Sequence, residues 1–267
     1  MFTSGFFEPS PVTIERRGIV STWAFFGPEH LMWLAACALC GSALVLLYQR
    51  LPGDANGHSP RRRMRLAVAA VPLVLLLSQD LAMVATNTFT VSWWPLHSCN
   101  LCELLCLVYA LLPASVPGHG LKPLIGEVLF TLGLTGAAFA LLFPGWYYCD
   151  AWSWPSLCGF AEHSLIIVFV IMLLVSGELQ PRLQDLWKAV LFSAACAAAA
   201  RVFNARFGTN FFFVSSPMLG TPLVAFEQVL GNPGYLVPFA ALVIALWWGE
   251  HLLWDALHAR RAHQKWA

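Results

Sequence analysis

Cys99, Cys102, Glu103 and Cys106 follow i, i+3, i+4 and i+7 spacing, so on a helix they share one face. A thiol becomes a nucleophile when a neighbouring base takes its proton, and the base must come within hydrogen-bond reach. His97 is nearest in sequence but lies about 200° around an ideal helix from Cys99, a poor position for that task. His163 is the better candidate, because imidazole exchanges a proton near neutral pH. Asp80 and Glu162 are candidate orienting carboxylates, and Arg201 and Asn204 candidate stabilisers of a developing oxyanion. A second reading stays open beside this one. The same side chains can serve as hydrogen-bonded glue between helices, or as the polar ligand-binding layer of a non-catalytic carrier or receptor-like bundle.

Metal and cofactor chemistry is not expected. Cys99-x-x-Cys102 stands alone, and Cys37-x-x-Cys40 falls in the middle of an apolar run, so no pair of cysteine pairs has zinc spacing. Cys37, Cys40, Cys106 and Cys196 read as small buried hydrophobes. Cys149 and Cys158 are nine residues apart and can form a disulfide in an oxidising compartment or remain two packing thiols.

The elements that must position these groups are membrane helices. Of the 267 residues 58% are hydrophobic and 11% charged, where soluble domains carry about a quarter; the mean hydropathy is +0.67. The expected fold is all-α, a polytopic bundle of about seven transmembrane helices near residues 30–48, 66–86, 95–112, 124–143, 156–176, 186–203 and 234–254. Residues 1–29 form an interfacial lead-in, residues 30–256 the transmembrane domain and residues 257–267 a basic tail. Pro95 is placed to start the third helix, and Gly126, Gly133 and Gly136 to let the fourth approach its neighbours. The run from Trp146 to Trp154 reads as an interfacial aromatic belt, and residues 208–233 as a segment able to re-enter the membrane.

Seven spans put the termini on opposite sides. Of the 15 lysines and arginines, only Arg16, Arg17, Arg201 and Arg206 fall on the N-terminal side, which the positive-inside rule places outside, with the C-terminus cytoplasmic. No cleavable signal precedes the first span, and a bacterial inner-membrane location is expected. The net charge of +1 and the lack of a basic tract interleaved with aromatics argue against nucleic acid and leave membrane lipids as partners. Oligomeric state is not legible.

Orientation gathers the polar residues into one layer. Cys99 falls about 6 Å and His163 about 10 Å below the outer boundary at 1.5 Å per residue. Asp80, His97, Glu103, Glu162, Arg201 and Asn204 approach the same leaflet. Isolated charges cost several kcal/mol in hydrocarbon, so their convergence argues for a shared polar cavity. The cytoplasmic half holds fewer such groups, chiefly Glu127, Glu250 and His251.

Several stretches carry a resemblance. They are His30-Leu31, Pro95-Leu96-His97-Ser98-Cys99 after a tryptophan, and Glu127 followed by Gly133-Leu134-Thr135-Gly136-Ala137. Ala140-Leu141-Leu142-Phe143-Pro144, Glu162-His163-Ser164-Leu165-Ile166-Ile167 and Gly208-Thr209-Asn210-Phe211-Phe212 continue it. In their order and spacing the chain resembles the YwaF-like bacterial integral membrane proteins, relatives of the animal transmembrane protein 164 acyltransferases. The resemblance implies thiol-dependent transfer or hydrolysis of lipid acyl chains, with Cys99 as acyl acceptor and His163 as its partner. It adds Asn210 to the supporting layer.

Overall fold

The computed structural model describes residues 6–7, 23–52, 59–113, 120–147 and 149–264, with backbone only from 258 onward. Most of the N-terminal lead-in, including Arg16 and Arg17, lies outside the described residues, as does Lys265 of the basic tail. Every regular element among the described residues is helical. Six helical stretches are long and apolar enough to cross a membrane: 28–50, 60–85, 121–142, 154–175, 183–207 and 236–257. A seventh helix, α3 (Ser98–Leu111), is apolar but has 14 residues. At 1.5 Å per residue it covers about 21 Å, short of a full hydrocarbon core.

The other elements are α1 (Pro28–Arg50), α2 (Pro60–Ala85), α4 (Leu121–Val128), α5 (Leu134–Leu142), α6 (Trp154–Val175), α7 (Leu186–Phe207), α8 (Leu223–Leu230) and α9 (Leu236–Gln264). Helix ends differ from expectation where local chemistry overrides hydropathy. α2 begins six residues early because Ser59 caps it by accepting from the Arg62 N–H and Pro60 takes the first turn. Arg61, Arg62, Arg63 and Arg65 are therefore helical rather than part of a loop. α3 begins at Ser98 instead of Pro95, behind the 3-10 turn Val91–Trp93. α9 continues unbroken past residue 257. α4 and α5 form one rod interrupted by a π turn, Leu129–Gly133, in which Thr131 Oγ1 donates to the Glu127 carbonyl at 2.8 Å.

Helix α6 is the centre of the bundle. Thirteen of its 22 residues are buried, against three of 22 in α7, and α1, α2 and α5 pack against it. Exposed residues such as Leu39, Val74, Leu81, Val202 and Val237 face outward, where lipid tails rather than protein must cover them. Of the three glycines expected to admit neighbours, only Gly126 does: a Cβ there would stand 2.7 Å from Leu179 Cδ1, whereas Gly136 has nothing within 4 Å. One end of the bundle is closed by ions, with Glu178 pairing both Arg65 and Lys122 and the Lys122 ammonium 4.7 Å from the Tyr109 ring centre.

At the other end the aromatic loop turns inward. Trp146 and Tyr147 are buried against the bundle, while Trp152 remains exposed. Indole N–H groups of Trp23 and Trp33 donate to the carbonyls of Cys149 and Ala151, each at 2.8 Å, tying the loop to α1 and the segment before it. The disulfide considered for Cys149 and Cys158 is not formed. Both are thiols, Cys149 in the cluster around Trp23 and Cys158 with its Sγ 3.9 Å from the Leu75 carbonyl of α2. Burial, with Asp150 beside it, pushes the Cys149 thiol up to about 12.

His30 locks this end. Its Nδ1 accepts from the Phe26 N–H at 2.9 Å, so its Nε2 carries the proton and donates to the Leu141 carbonyl at 2.7 Å. That single ring fixes the positive φ of 59° at Phe26 and joins α1 to α5. His30→Ala is expected to cost about 2 kcal/mol, two net hydrogen bonds, read as a lower unfolding midpoint in detergent. An unchanged midpoint would show that water replaces the clamp.

Candidate functional site

α3, which opens at Ser98, packs against α6, whose third turn carries Glu162 and His163. Cys99 keeps an accessible face, while Cys102 and Cys106 on the same stripe are each 1% exposed and belong to the apolar core. Partial exposure therefore sets Cys99 apart from the two fully packed thiols of its stripe.

The protonation geometry of His163 follows from its surroundings. Its Nδ1 lies 2.6 Å from the Gly159 carbonyl one turn earlier. A carbonyl oxygen only accepts, so Nδ1 carries the proton and the Nε2 lone pair is left for chemistry. The imidazole lies against Trp146 at 5.0 Å between ring centres. Trp146 itself sits in a notch above Gly159, where a Cβ would come within 2.6 Å of the indole. The sequence placed Trp146 in an interfacial aromatic belt, not at this histidine, and did not single out Gly159. A glycine four residues before the candidate base was the only local signal.

Three carboxyls lie on the helices that carry the site. Glu103 on α3 is fully buried, Glu162 on α6 is 4% exposed, and Asp80 is on α2, which packs against both helices. Both oxygens of Glu103, Oε1 of Glu162 and Oδ1 of Asp80 are buried without a hydrogen-bond partner. Among the described residues no three metal-ligating side chains converge closely enough to hold a metal ion.

The remaining expected site residues, Arg201, Asn204 and Asn210, are bonded into one turn. Asn204 is saturated, its Oδ1 accepting from Thr209 Oγ1 at 2.8 Å and the Phe211 N–H at 2.9 Å while Nδ2 donates to the Phe211 carbonyl. Asn210 accepts from the N–H groups of Ser215 and Ser216 and donates to Ser216. Arg201 is exposed and donates to the Val214 carbonyl at 3.0 Å. Together they hold a tight turn in which Phe212 and Phe213 have φ of 59° and 53°, a left-handed pairing that bulky residues adopt only when fixed by their surroundings. The turn sets Phe211 at 4.8 Å and Phe213 at 6.0 Å from the His97 ring, so it builds the wall beside that histidine.

A second polar cluster lies apart from the first. His251 of α9 places Nε2 2.6 Å from Glu127 Oε1 and Nδ1 2.8 Å from the Trp247 carbonyl, and Thr135 Oγ1 donates to Glu250 at 2.8 Å. Glu127 and Thr135 flank the π turn, so this cluster ties α9 to the interrupted helix.

Helices, apolar exterior and internal polar layer together define a multi-pass helical membrane protein. The signature of the TMEM164 family matches residues 25–249, and the chain belongs to that family. No curated protein and no solved structure matches it.

Proposed function

We propose that the protein transfers acyl chains of membrane lipids through a thioester on Cys99, with His163 carrying protons to and from the lipid oxygens. The observation that supports this reading is a partly exposed Cys99 on α3, a helix that packs against α6, together with an imidazole on α6 whose Nε2 lone pair is left open. Ester lipid enters from the outer leaflet of a bacterial inner membrane, with the N-terminus outside. Cys99 attacks the ester carbonyl, and the leaving glycerol oxygen takes its proton through His163. A second hydroxyl, or water, then reverses the sequence. Family membership supports the chemistry by resemblance, and a fold alone does not assign it.

The test is intact mass of purified protein incubated with a phospholipid carrying a labelled acyl chain. A hydroxylamine-labile adduct on Cys99 is expected, absent in Cys99→Ala and at least tenfold slower to turn over in His163→Ala. Equal labelling of Cys99→Ala, or undiminished turnover in His163→Ala, overturns it.

A further inference from the structure

Three indoles, of Trp23, Trp33 and Trp146, gather at the end of the bundle where α5 stops and α6 begins. Two of them have acceptors, Trp23 on the Cys149 carbonyl and Trp33 on the Ala151 carbonyl. Trp146, 9% exposed in the same apolar cluster, has none for its N–H. A buried indole N–H ordinarily finds an acceptor, because water can no longer reach it. Nor does that N–H hold the ring in place: the notch over Gly159 and the edge contact with Phe160 do so through carbon atoms. A phenylalanine could meet those demands, which leaves the nitrogen of Trp146 for another task. Trp247, whose N–H is also unpaired, packs into an apolar cluster with Val128 and Ala189.

Trp146 differs in its neighbour. Its indole lies against the His163 imidazole, 5.0 Å between centres and 30° from parallel. His163 keeps its Nδ1 proton on the Gly159 carbonyl and makes no hydrogen bond at Nε2. Two rings in contact therefore hold one unpaired donor and one unpaired acceptor, and these do not bond each other. A hydroxyl complements both, since its oxygen accepts while its proton is given. Buried water needs about two to four polar partners and finds only this pair here, between apolar walls such as Leu141 and Phe160. An alcohol turns its carbon to those walls and its oxygen to the two nitrogens, so the walls favour it over water. The level fits as well, because tryptophan rings at the ends of spans sit where lipid headgroups meet the hydrocarbon.

We propose that the Trp146 indole N–H and His163 Nε2 form the subsite for the lipid hydroxyl that accepts the acyl chain. This rests on the acyl-transfer reading and names the acceptor as an alcohol rather than water. The hydroxyl oxygen accepts from Trp146 Nε1 and donates to His163 Nε2. Its O–H bond breaks as an N–H bond forms at Nε2. A C–O bond to the acyl carbonyl then forms, and the C–S bond to Cys99 breaks. The departing thiolate takes the proton from Nε2, which restores the Cys99 thiol and the Nε2 lone pair. The indole gives up no proton; it fixes the oxygen and steadies the charge that develops there. In the opposite direction the same subsite receives the glycerol oxygen that leaves the donor lipid.

The experiment uses full-length Cys99→Ala protein in detergent, which cannot be acylated at that position, with isotope-labelled tryptophan for nuclear magnetic resonance. A lysophospholipid is expected to move the Trp146 indole N–H resonance, assigned by its loss in Trp146→Phe. The same lipid with its free glycerol hydroxyl replaced by hydrogen is expected to leave the resonance in place. Equal shifts from the two lipids, or none from either, overturn the proposal. In protein that keeps Cys99, Trp146→Phe is expected to raise the lysophospholipid concentration for half-maximal acyl transfer at least tenfold. Hydroxylamine, which needs no such subsite, is expected to release the acyl chain at the parent rate. A fall in hydrolysis with transfer unchanged assigns the subsite to water and overturns the alcohol. The resonance test needs no acylation, so a hydroxyl-specific shift without any adduct on Cys99 keeps the subsite and removes acyl transfer. An adduct without the shift does the reverse.

Discussion

Glu127→Ala is expected to destabilise the bundle by about 3–5 kcal/mol, the cost of leaving one partner of a buried polar pair alone. His251 Nδ1 faces the Trp247 carbonyl, so that nitrogen carries a proton in every state. One further proton lies between His251 Nε2 and Glu127 Oε1, 2.6 Å apart, whichever atom holds it. Both side chains are almost wholly buried, and the edge of Phe130 closes the ring on one side at 4.9 Å. Removing the carboxyl strands Nε2 in an apolar wall. Glu127→Gln, which offers an amide donor to the Nε2 lone pair, is expected to cost less than half as much. Joint replacement, Glu127→Met with His251→Leu, is expected to recover most of the loss, since no polar group then remains unpaired. Denaturant unfolding in mixed micelles measures all four proteins. Single substitutions each below 1 kcal/mol, adding without coupling, would show that water already solvates the pair.

Gly159→Ala is expected to slow formation of the Cys99 adduct at least tenfold while costing about 1–3 kcal/mol of stability, the range for overpacking. The added methyl would lie 2.6, 2.7 and 3.0 Å from three atoms of the Trp146 indole. The indole is a rigid bicycle that also lies against Phe160 at 5.3 Å and His163 at 5.0 Å, so it must leave rather than bend. At Gly126 the near atom is the end of a leucine, which a rotamer change can move, and alanine there is expected to be mild. Displacing Trp146 releases the His163 ring from the face that fixes its plane. Adduct formation timed by intact mass, beside a Trp146→Phe control, checks this. A parent-like rate in Gly159→Ala would mean that the Gly159 carbonyl alone positions the imidazole.

The spans were legible because membrane insertion is read from composition: a helix in hydrocarbon must be long and apolar, and hydropathy measures both. Helix ends were less legible, since a cap or a proline decides them locally. Ser59 and Pro60 started α2 within what reads as a polar loop, and Pro95 failed to start α3. The stripe of Cys99, Cys102, Glu103 and Cys106 followed from spacing alone.

Choice among those groups needed the tertiary structure. Spacing cannot tell an accessible thiol from a packed one, and only the packing around α3 separates Cys99 from Cys102 and Cys106. Arg201 and Asn204 stood out as polar residues closing an apolar span and Asn210 through the resemblance, while their hydrogen bonds run within the turn that places Phe211 on His97. Glu127 and His251 stand 124 residues apart, and no local pattern joins them. Sequence determined that this chain is a membrane bundle with reactive side chains on one helical face, because periodicity and hydropathy are local properties. Which thiol keeps partial exposure, which ring holds His163 and which polar groups are bonded into scaffolding were decided by tertiary contacts, which local sequence does not record.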